Sequence, residues 1–310
     1  MNKFKKLMED IMSTAPYKKI HVVINPASGK NEPILNVLNE VFQEYKEIDW
    51  TISVTKKFGD ATQQAREAVK NGADLVAGYG GDGTQHEIAN GILGTVAVMG
   101  VLPGGTGNNF AIELGTPKEL KPAVELLCNG GKIRNIDIGK MDDIYFVLRL
   151  YVGVEPEEQT SRDDKDKYGT FAYAINVYHR AREKKQKEFQ YHVVIDGETF
   201  DFPASKVYVV NAGKTGKGIS VTGNVSKPDD GLLDLFILDN KNLKTLAAAA
   251  ERVVHLNTET AQSFIKQGKE ISIETNPDQP VWTDGEYTGR TPISLQIVPG
   301  ALRVVVPRDC

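Results

Sequence analysis

Apolar positions in the first half of the chain follow two alternating rhythms. Short, largely apolar runs at residues 19–24, 50–54, 74–77 and 96–102 have the length and β-branched content of buried strands. Between them, residues 34–45, 61–71 and 85–93 repeat apolar side chains at helical spacing, and Gly72 closes the second of these helices. Such strand–helix alternation predicts a parallel sheet covered by helices on both faces. Beyond residue 134 the texture changes. Stretches 146–154, 188–195, 205–210, 232–238, 270–274 and 295–298 read as strands joined by turns, with helical interruptions near 170–187 and 243–254. That half predicts a mostly antiparallel β-sandwich.

Ahead of the first strand, Phe4, Leu7, Met8, Ile11 and Met12 share one helical face while Lys3, Lys5 and Lys6 occupy others. This amphipathic extension, residues 1–16, reads either as a helix docked on the body or as one lying on a membrane surface. No stretch reaches the length of a membrane-spanning helix, and no secretory h-region is present.

Composition narrows the function classes. Across 310 residues, 37 Lys and Arg stand against 41 Asp and Glu, a formal charge of −4. That balance predicts no nucleic-acid partner. Cys128 and Cys310 lie far apart and outside any metal spacing, so neither zinc nor a disulfide framework is expected, and the compartment reads as cytoplasmic.

The candidate chemistry lies in three small-residue loops, each following a strand: residues 25–30, 80–84 and 103–108. In a parallel sheet such loops emerge along one edge and converge on one ligand. Gly78 to Gly83 formally satisfies GxGxxG, but it follows the third strand and no acid stands about 20 residues on to hold a ribose. A Walker A loop is also absent, because Gly29-Lys30 is followed by Asn31. Glycine backbones and helix N-termini suit phosphate, with Ser28, Thr84 and Thr106 as hydroxyl donors. Asp82 is the exception: a carboxylate inside a phosphate cradle calls for a divalent cation between the two anions. The set therefore reads as phosphate with Mg²⁺, the setting of phosphoryl transfer.

Asn25-Pro26-Ala27-Ser28-Gly29, then Gly80-Gly81-Asp82-Gly83-Thr84 with Glu87, then Pro103-Gly104-Gly105-Thr106-Gly107-Asn108, resemble the catalytic domain shared by diacylglycerol, sphingosine and ceramide kinases and bacterial lipid kinases. The resemblance continues through Lys227-Pro228-Asp229-Asp230-Gly231-Leu232-Leu233-Asp234 and Asp284-Gly285-Glu286, and covers residues 18–307. It implies a Rossmann-like three-layer α/β nucleotide domain over residues 1–138 and a β-sandwich lipid-substrate domain over 139–300. A terminal strand in 301–310 would return to the first domain.

It further implies ATP held by Asn25, Pro26, Ala27, Ser28, Gly29, Thr55, Gly81, Asp82, Gly83, Thr84, Gln85, His86, Glu87 and Thr106. Asp82 would organise Mg²⁺, and Asp284 or Glu286 would accept the proton of a lipid hydroxyl. Lys227, Asp230 and Leu232 match a second Mg²⁺ site, Leu232 through its carbonyl oxygen. The expected function is ATP- and Mg²⁺-dependent phosphorylation of a lipid hydroxyl, with diacylglycerol converted to phosphatidic acid. The implied partner is a membrane-resident lipid reached by peripheral contact, and a homodimer is left open. Two alternatives stand beside it: a kinase of a soluble substrate such as NAD, since GGDGT is shared, and a nucleotide- or lipid-binding member with weak turnover. The second is motivated by Asn109, which stands where the resembling family carries an acid.

Overall fold

The computed structural model describes residues 16–29, 31–129, 131–153, 187–212, 226–238 and 265–309. The amphipathic extension and the helical patterns near 170–187 and 243–254 lie outside these residues. The chain divides into two compact units, one running to Ile136 and taking back Ala301–Cys310, the other Asp137–Gly300.

The first unit is built on β1 (Lys19–Ile24), α1 (Ile34–Phe42), β2 (Asp49–Val54), α2 (Asp60–Lys70), β3 (Leu75–Gly80), α3 (Asp82–Ile92), β4 (Val98–Pro103), α4 (Asn109–Glu113) and α5 (Leu120–Cys128). Its strands are parallel in the order β2–β1–β3–β4, with Ile24 beside both Val54 and Tyr79, and Gly80 beside Pro103. Their carboxyl ends are thereby level. Alternation in β1 sends Ile20, Val22 and Ile24 into a core with Leu38, Val41 and Phe42 of α1 and Val124 and Leu127 of α5. On the other face Ala61, Ala65 and Ala68 of α2 and Ile88, Ala89 and Ile92 of α3 are buried. Both faces are covered, so β3 and β4 are buried at every position. Cys128 belongs to this core, and burial pushes its thiol up to about 12.

The second unit carries β5 (Lys132–Met141, entering from the first), β6 (Ile144–Phe146), β7 (Arg149–Val152), β8 (Phe189–Ile195), β9 (Glu198–Ala204), β10 (Lys206–Val210), β11 (Leu233–Leu238) and β12 (Ile265–Gly268). It continues with β13 (Glu270–Asn276), β14 (Pro280–Thr283), β15 (Glu286–Arg290) and β16 (Ile293–Val306). One antiparallel sheet runs β12–β11–β10–β7–β14–β15; another joins the first half of β16 to β13, β8 and β9. Leu150, Val152, Val207, Val209 and Leu235 from one meet Tyr191, Val193, Ile271 and Ile273 from the other in a single core. The α/β and β-sandwich classes expected from the pattern are both present.

Element boundaries differ from the pattern in instructive ways. The expected strand 146–154 is broken, because the N–H groups of Val147, Leu148 and Arg149 turn to the Asp284 carboxylate. The expected strand 295–298 belongs to a strand of 14 residues that continues through Pro299-Gly300 to Val306. Its first half pairs with β13, and Val304 pairs in parallel with Met99 of β4. Asp137 secures this crossover: only 3% exposed, it accepts the N–H of Gly300 at 2.7 Å and of Gly231 at 2.7 Å.

Removing the Asp137 carboxylate strands those two N–H groups. Asp137→Ala is expected to destabilise the second unit by about 2–4 kcal/mol, read as a lower urea midpoint, whereas a midpoint equal to wild type would contradict this role.

Candidate active site

Three loops leave the carboxyl ends of β1, β3 and β4, and hydrogen bonds tie them into one framework. In the first, Asn25 receives its backbone register from Tyr79, whose carbonyl accepts the Asn25 N–H at 2.9 Å. The Asn25 side chain then does two jobs. Its Oδ1 accepts the Ala27 N–H at 3.0 Å, and its Nδ2 donates to Thr84 Oγ1 at 3.0 Å, linking the first loop to the second. Pro26, Ala27 and Gly29 remain exposed and Ser28 half-buried.

The second loop is shorter than its glycine pattern predicts. Gly78, Tyr79 and Gly80 belong to β3, Gly81 is the N-cap, and Asp82 already opens α3. The third loop passes against this turn: a Cβ on Gly105 would come 2.6 Å from the Gly81 Cα, so only glycine allows the approach. Asn108 holds the third loop in shape, accepting the Gly105 N–H at 2.9 Å and donating to the Gly105 carbonyl at 2.6 Å.

Asp82 fastens the second loop to the third. Its Oδ2 accepts the Asn109 N–H at 3.1 Å and the Asn109 Nδ2 at 2.9 Å, and its Oδ1 accepts the Phe110 N–H at 2.9 Å. The carboxylate thus caps α4, and buried Phe110 anchors the helix beneath it. These donors account for an acid within the cradle without a cation. Oδ1 has one donor, so the half-buried group retains a hard oxygen suited to a hydrated Mg²⁺.

The remaining predicted residues divide by environment. Thr84 and Gln85 are buried; Gln85 donates from Nε2 to the Gly78 carbonyl at 2.8 Å. Thr55 is 8% exposed and its N–H continues the β1–β2 ladder to the Ile24 carbonyl. Glu87 caps α2, with Oε2 accepting the N–H groups of Gly59 and Ala61 at 3.0 Å each. His86 is half-buried, while Gly83 and Thr106 are exposed. Pro26, Ala27, Gly29, Gly83 and Thr106 therefore form the open side of the framework, and Asn25, Thr84 and Gln85 its supporting layer.

Tyr79 was not singled out by the sequence, where it occupies only a variable position in a glycine pattern. Fully buried, it donates its hydroxyl to Glu32 Oε2 at 2.9 Å and also bonds Ser28. A Cβ on Gly104 would lie 2.8 Å from its ring. Tyr79 therefore props the first loop from below and meets the third. Burial, then the Glu32 hydrogen bond and charge, pushes its hydroxyl up to about 12.

In the second unit, Asp284 and Gly285 form the two-residue turn between β14 and β15, with φ of 48° and 98°. This is a hairpin, as the local sequence alone reads, yet the Asp284 carboxylate also reaches the β6–β7 break. It accepts the N–H of Val147 at 2.7 Å and those of Leu148 and Arg149 at 2.9 Å each. Buried Asn211, immediately after β10, closes the other side by donating from Nδ2 to the carbonyls of Asp137 and Val147 at 2.8 Å. Glu286 is exposed beside the turn.

The turn bearing Lys227, Asp230 and Leu232 rests on Asp137, which donates its N–H to the Pro228 carbonyl at 2.6 Å. Asp230 Oδ1 accepts the Leu232 N–H at 3.1 Å. Burial, together with the charges of Asp137 and Asp229, raises the Asp230 carboxyl above its ordinary value. That surplus of negative charge and the hard oxygens of the turn fit Mg²⁺. Among the described residues no three metal-ligating side chains are grouped, so main-chain carbonyls would complete such a site.

With this geometry in place, similarity to known proteins is informative. Residues 19–141 match the sequence model of the diacylglycerol kinase catalytic domain, and residues 150–306 match that of the YegS C-terminal NAD kinase beta sandwich-like domain. A diacylglycerol kinase of Staphylococcus saprophyticus is 28% identical over 94% of the chain and 96% of its own length. An uncharacterized protein of Synechocystis sp. is 30% identical over 93% of the chain and 70% of its own length. The crystal structure of a diacylglycerol kinase from Bacillus anthracis superposes with a TM-score of 0.80 at 26% identity, covering 96% of this chain and 99% of that one.

Because the folded-state value of Tyr79 exceeds its ordinary 10.0, its stabilising contribution is complete below pH 10 and is lost as pH rises toward about 12. Wild type is expected to lose stability more steeply across that window than Tyr79→Phe in alkaline unfolding experiments. Parallel profiles would contradict the assignment.

Proposed function

The chain belongs to the family of the diacylglycerol kinase catalytic domain, and on that premise we propose that it is an ATP- and Mg²⁺-dependent lipid kinase acting on diacylglycerol. As a member of that family it is a kinase that phosphorylates an alcohol group. The observation that carries the finer reading is the Asp82-fastened framework, which brings three small-residue loops to one edge of a parallel sheet. Bound ATP supplies the phosphoryl group, and Mg²⁺ offsets the charge of its phosphates.

The chain's own residues then have distinct tasks. Gly81, Gly83 and the first turn of α3 offer backbone and helix-terminus dipoles to phosphate oxygens. Asn25 to Gly29, with Ser28, and Thr106 border the same edge. Thr84, Gln85, Glu87 and Thr55 hold that edge rigid through contacts below it. Asp82 keeps the second and third loops at a fixed separation and presents its remaining oxygen lone pairs to a hydrated cation.

A hydroxyl is a poor nucleophile; a carboxylate within hydrogen-bond reach takes its proton as the new O–P bond forms to the γ-phosphoryl group and the bond to the leaving ADP breaks. The Asp284-Gly285-Glu286 turn supplies that acceptor. Its two carboxylates differ in environment: Asp284 is engaged by three backbone N–H groups, whereas Glu286 projects from the start of β15. Lys227, Asp230 and Leu232 would hold a further Mg²⁺ through oxygen donors, as a structural element. Among the described residues no helix is long and apolar enough to cross a membrane, so the lipid would be reached from the membrane surface.

Transfer of labelled phosphate from ATP to diacylglycerol-containing vesicles tests this reading. Asp82→Ala and Asp284→Ala are each expected to abolish transfer, and label appearing in NAD instead of lipid would overturn the substrate class. Glu286→Gln separates the two carboxylates. If Glu286 is the acceptor, the rate falls about 10²–10⁴-fold with stability unchanged; a wild-type rate assigns the proton to Asp284.

A further inference from the structure

Seven large hydrophobic side chains are notably exposed among the described residues, and four belong to one corner of the first unit. Ile52 is 39% exposed, Val54 46%, Leu35 54% and Phe58 71%. Topology explains why they gather. Helix α1 leaves the carboxyl end of β1 and returns to the start of β2, so it runs antiparallel to the strands. Its first turn, with Leu35, therefore lies at the carboxyl end of the sheet, where β2 ends in Ile52 and Val54. Strand β2 is the sheet edge, and Trp50, Ile52 and Val54 share one face by alternation. Trp50 is stacked on Phe42 of α1 at 5.0 Å, so this face begins covered and emerges uncovered two and four residues later.

Phe58 lies on a turn held rigid in this position. Asp60 Oδ2 accepts the N–H groups of Lys56 at 2.8 Å and Lys57 at 3.1 Å, and Glu87 takes those of Gly59 and Ala61. The backbone that presents the exposed phenyl ring is thus held in place, and the ring is flanked by the exposed Lys56 and Lys57. An apolar tip with adjoining cations suits an anionic lipid surface, which takes the ring among acyl chains and the ammonium groups among phosphates. A second copy of the chain fits poorly, since a twofold contact here would oppose one lysine pair to another.

We infer that Leu35, Ile52, Val54, Lys56, Lys57 and Phe58 form the surface by which the enzyme rests on anionic membranes. The inference builds on the lipid-kinase reading and locates the contact on the body of the first unit. The turn starts at Thr55, whose N–H bonds the Ile24 carbonyl immediately before the Asn25 loop. Docking there would bring the phosphate-binding edge of the sheet close to the headgroup layer.

Full-length Phe58→Ser and Lys56→Gln/Lys57→Gln variants test it by flotation with phosphatidylcholine/phosphatidylglycerol vesicles. Partitioning is expected to fall about fivefold per lysine and at least about tenfold for Phe58→Ser. Transfer to diacylglycerol in vesicles should fall in parallel, while transfer to a water-soluble short-chain diacylglycerol stays at the wild-type rate. Wild-type partitioning by both variants would overturn the proposal, as would unchanged partitioning with a shift from dimer to monomer in sedimentation velocity. If partitioning depends on these residues but no diacylglycerol, short or long, is phosphorylated, the surface stands and the lipid-kinase reading fails.

Discussion

The loop-bearing edge of the first unit depends on one carboxylate. Asp82 opens α3 and accepts three N–H groups from Asn109 and Phe110, so the loops after β3 and β4 keep a fixed separation. Gly81 and Gly105 allow that separation to be very small, and Asn25 joins the first loop by bonding Thr84. Without Asp82, the third loop loses these three bonds to the second, while its own Asn108 lacing and the backbone bond from Gly104 to Gly80 stay in place. In the proposed kinase reading, preorganisation of this kind would spare the protein the cost of ordering these loops around phosphate.

The same device recurs wherever a loop must be held against a strand. Asp74 takes the N–H groups of Lys18 and Lys19, Asp60 those of Lys56 and Lys57, and Asp196 those of Lys269 and Glu270. Asp137 fixes the turn that precedes β11 and the bend of β16, and Asp284 fixes the break between β6 and β7. A carboxylate accepts two or three amide donors in one place, and such charge-assisted bonds are stronger than neutral ones. Aspartate in this chain is therefore as much an architectural residue as a chemical one.

The sequence reveals the layered first unit because buried parallel strands and amphipathic helices have different periods. It reveals the three loops because glycine, proline and asparagine cluster after strands. Other features need coordinates. Helix α5 escapes the pattern because Pro122 reads as a breaker, although proline is tolerated in the first turn of a helix. Strand β9 contains Pro203 and charged residues, which an edge strand accommodates. Pro299-Gly300 reads as a turn, yet β16 continues through it because Asp137 receives the Gly300 N–H. The reach of Asp284 to Val147, and of Tyr79 to Glu32, spans 137 and 47 residues of sequence, beyond any local signal.

Amide hydrogen exchange combined with binding of a non-hydrolysable ATP analogue tests most directly whether Asp82 makes the loops a phosphate cradle. In wild type, the Asn109 and Phe110 amides should be protected and the analogue should bind. In Asp82→Ala, protection at those two amides and affinity for the analogue should be lost together, while Val193 and Ile273 in the β-sandwich keep their protection. An Asp82→Ala protein that binds the analogue as wild type does, with both amides exchanging freely, would contradict it.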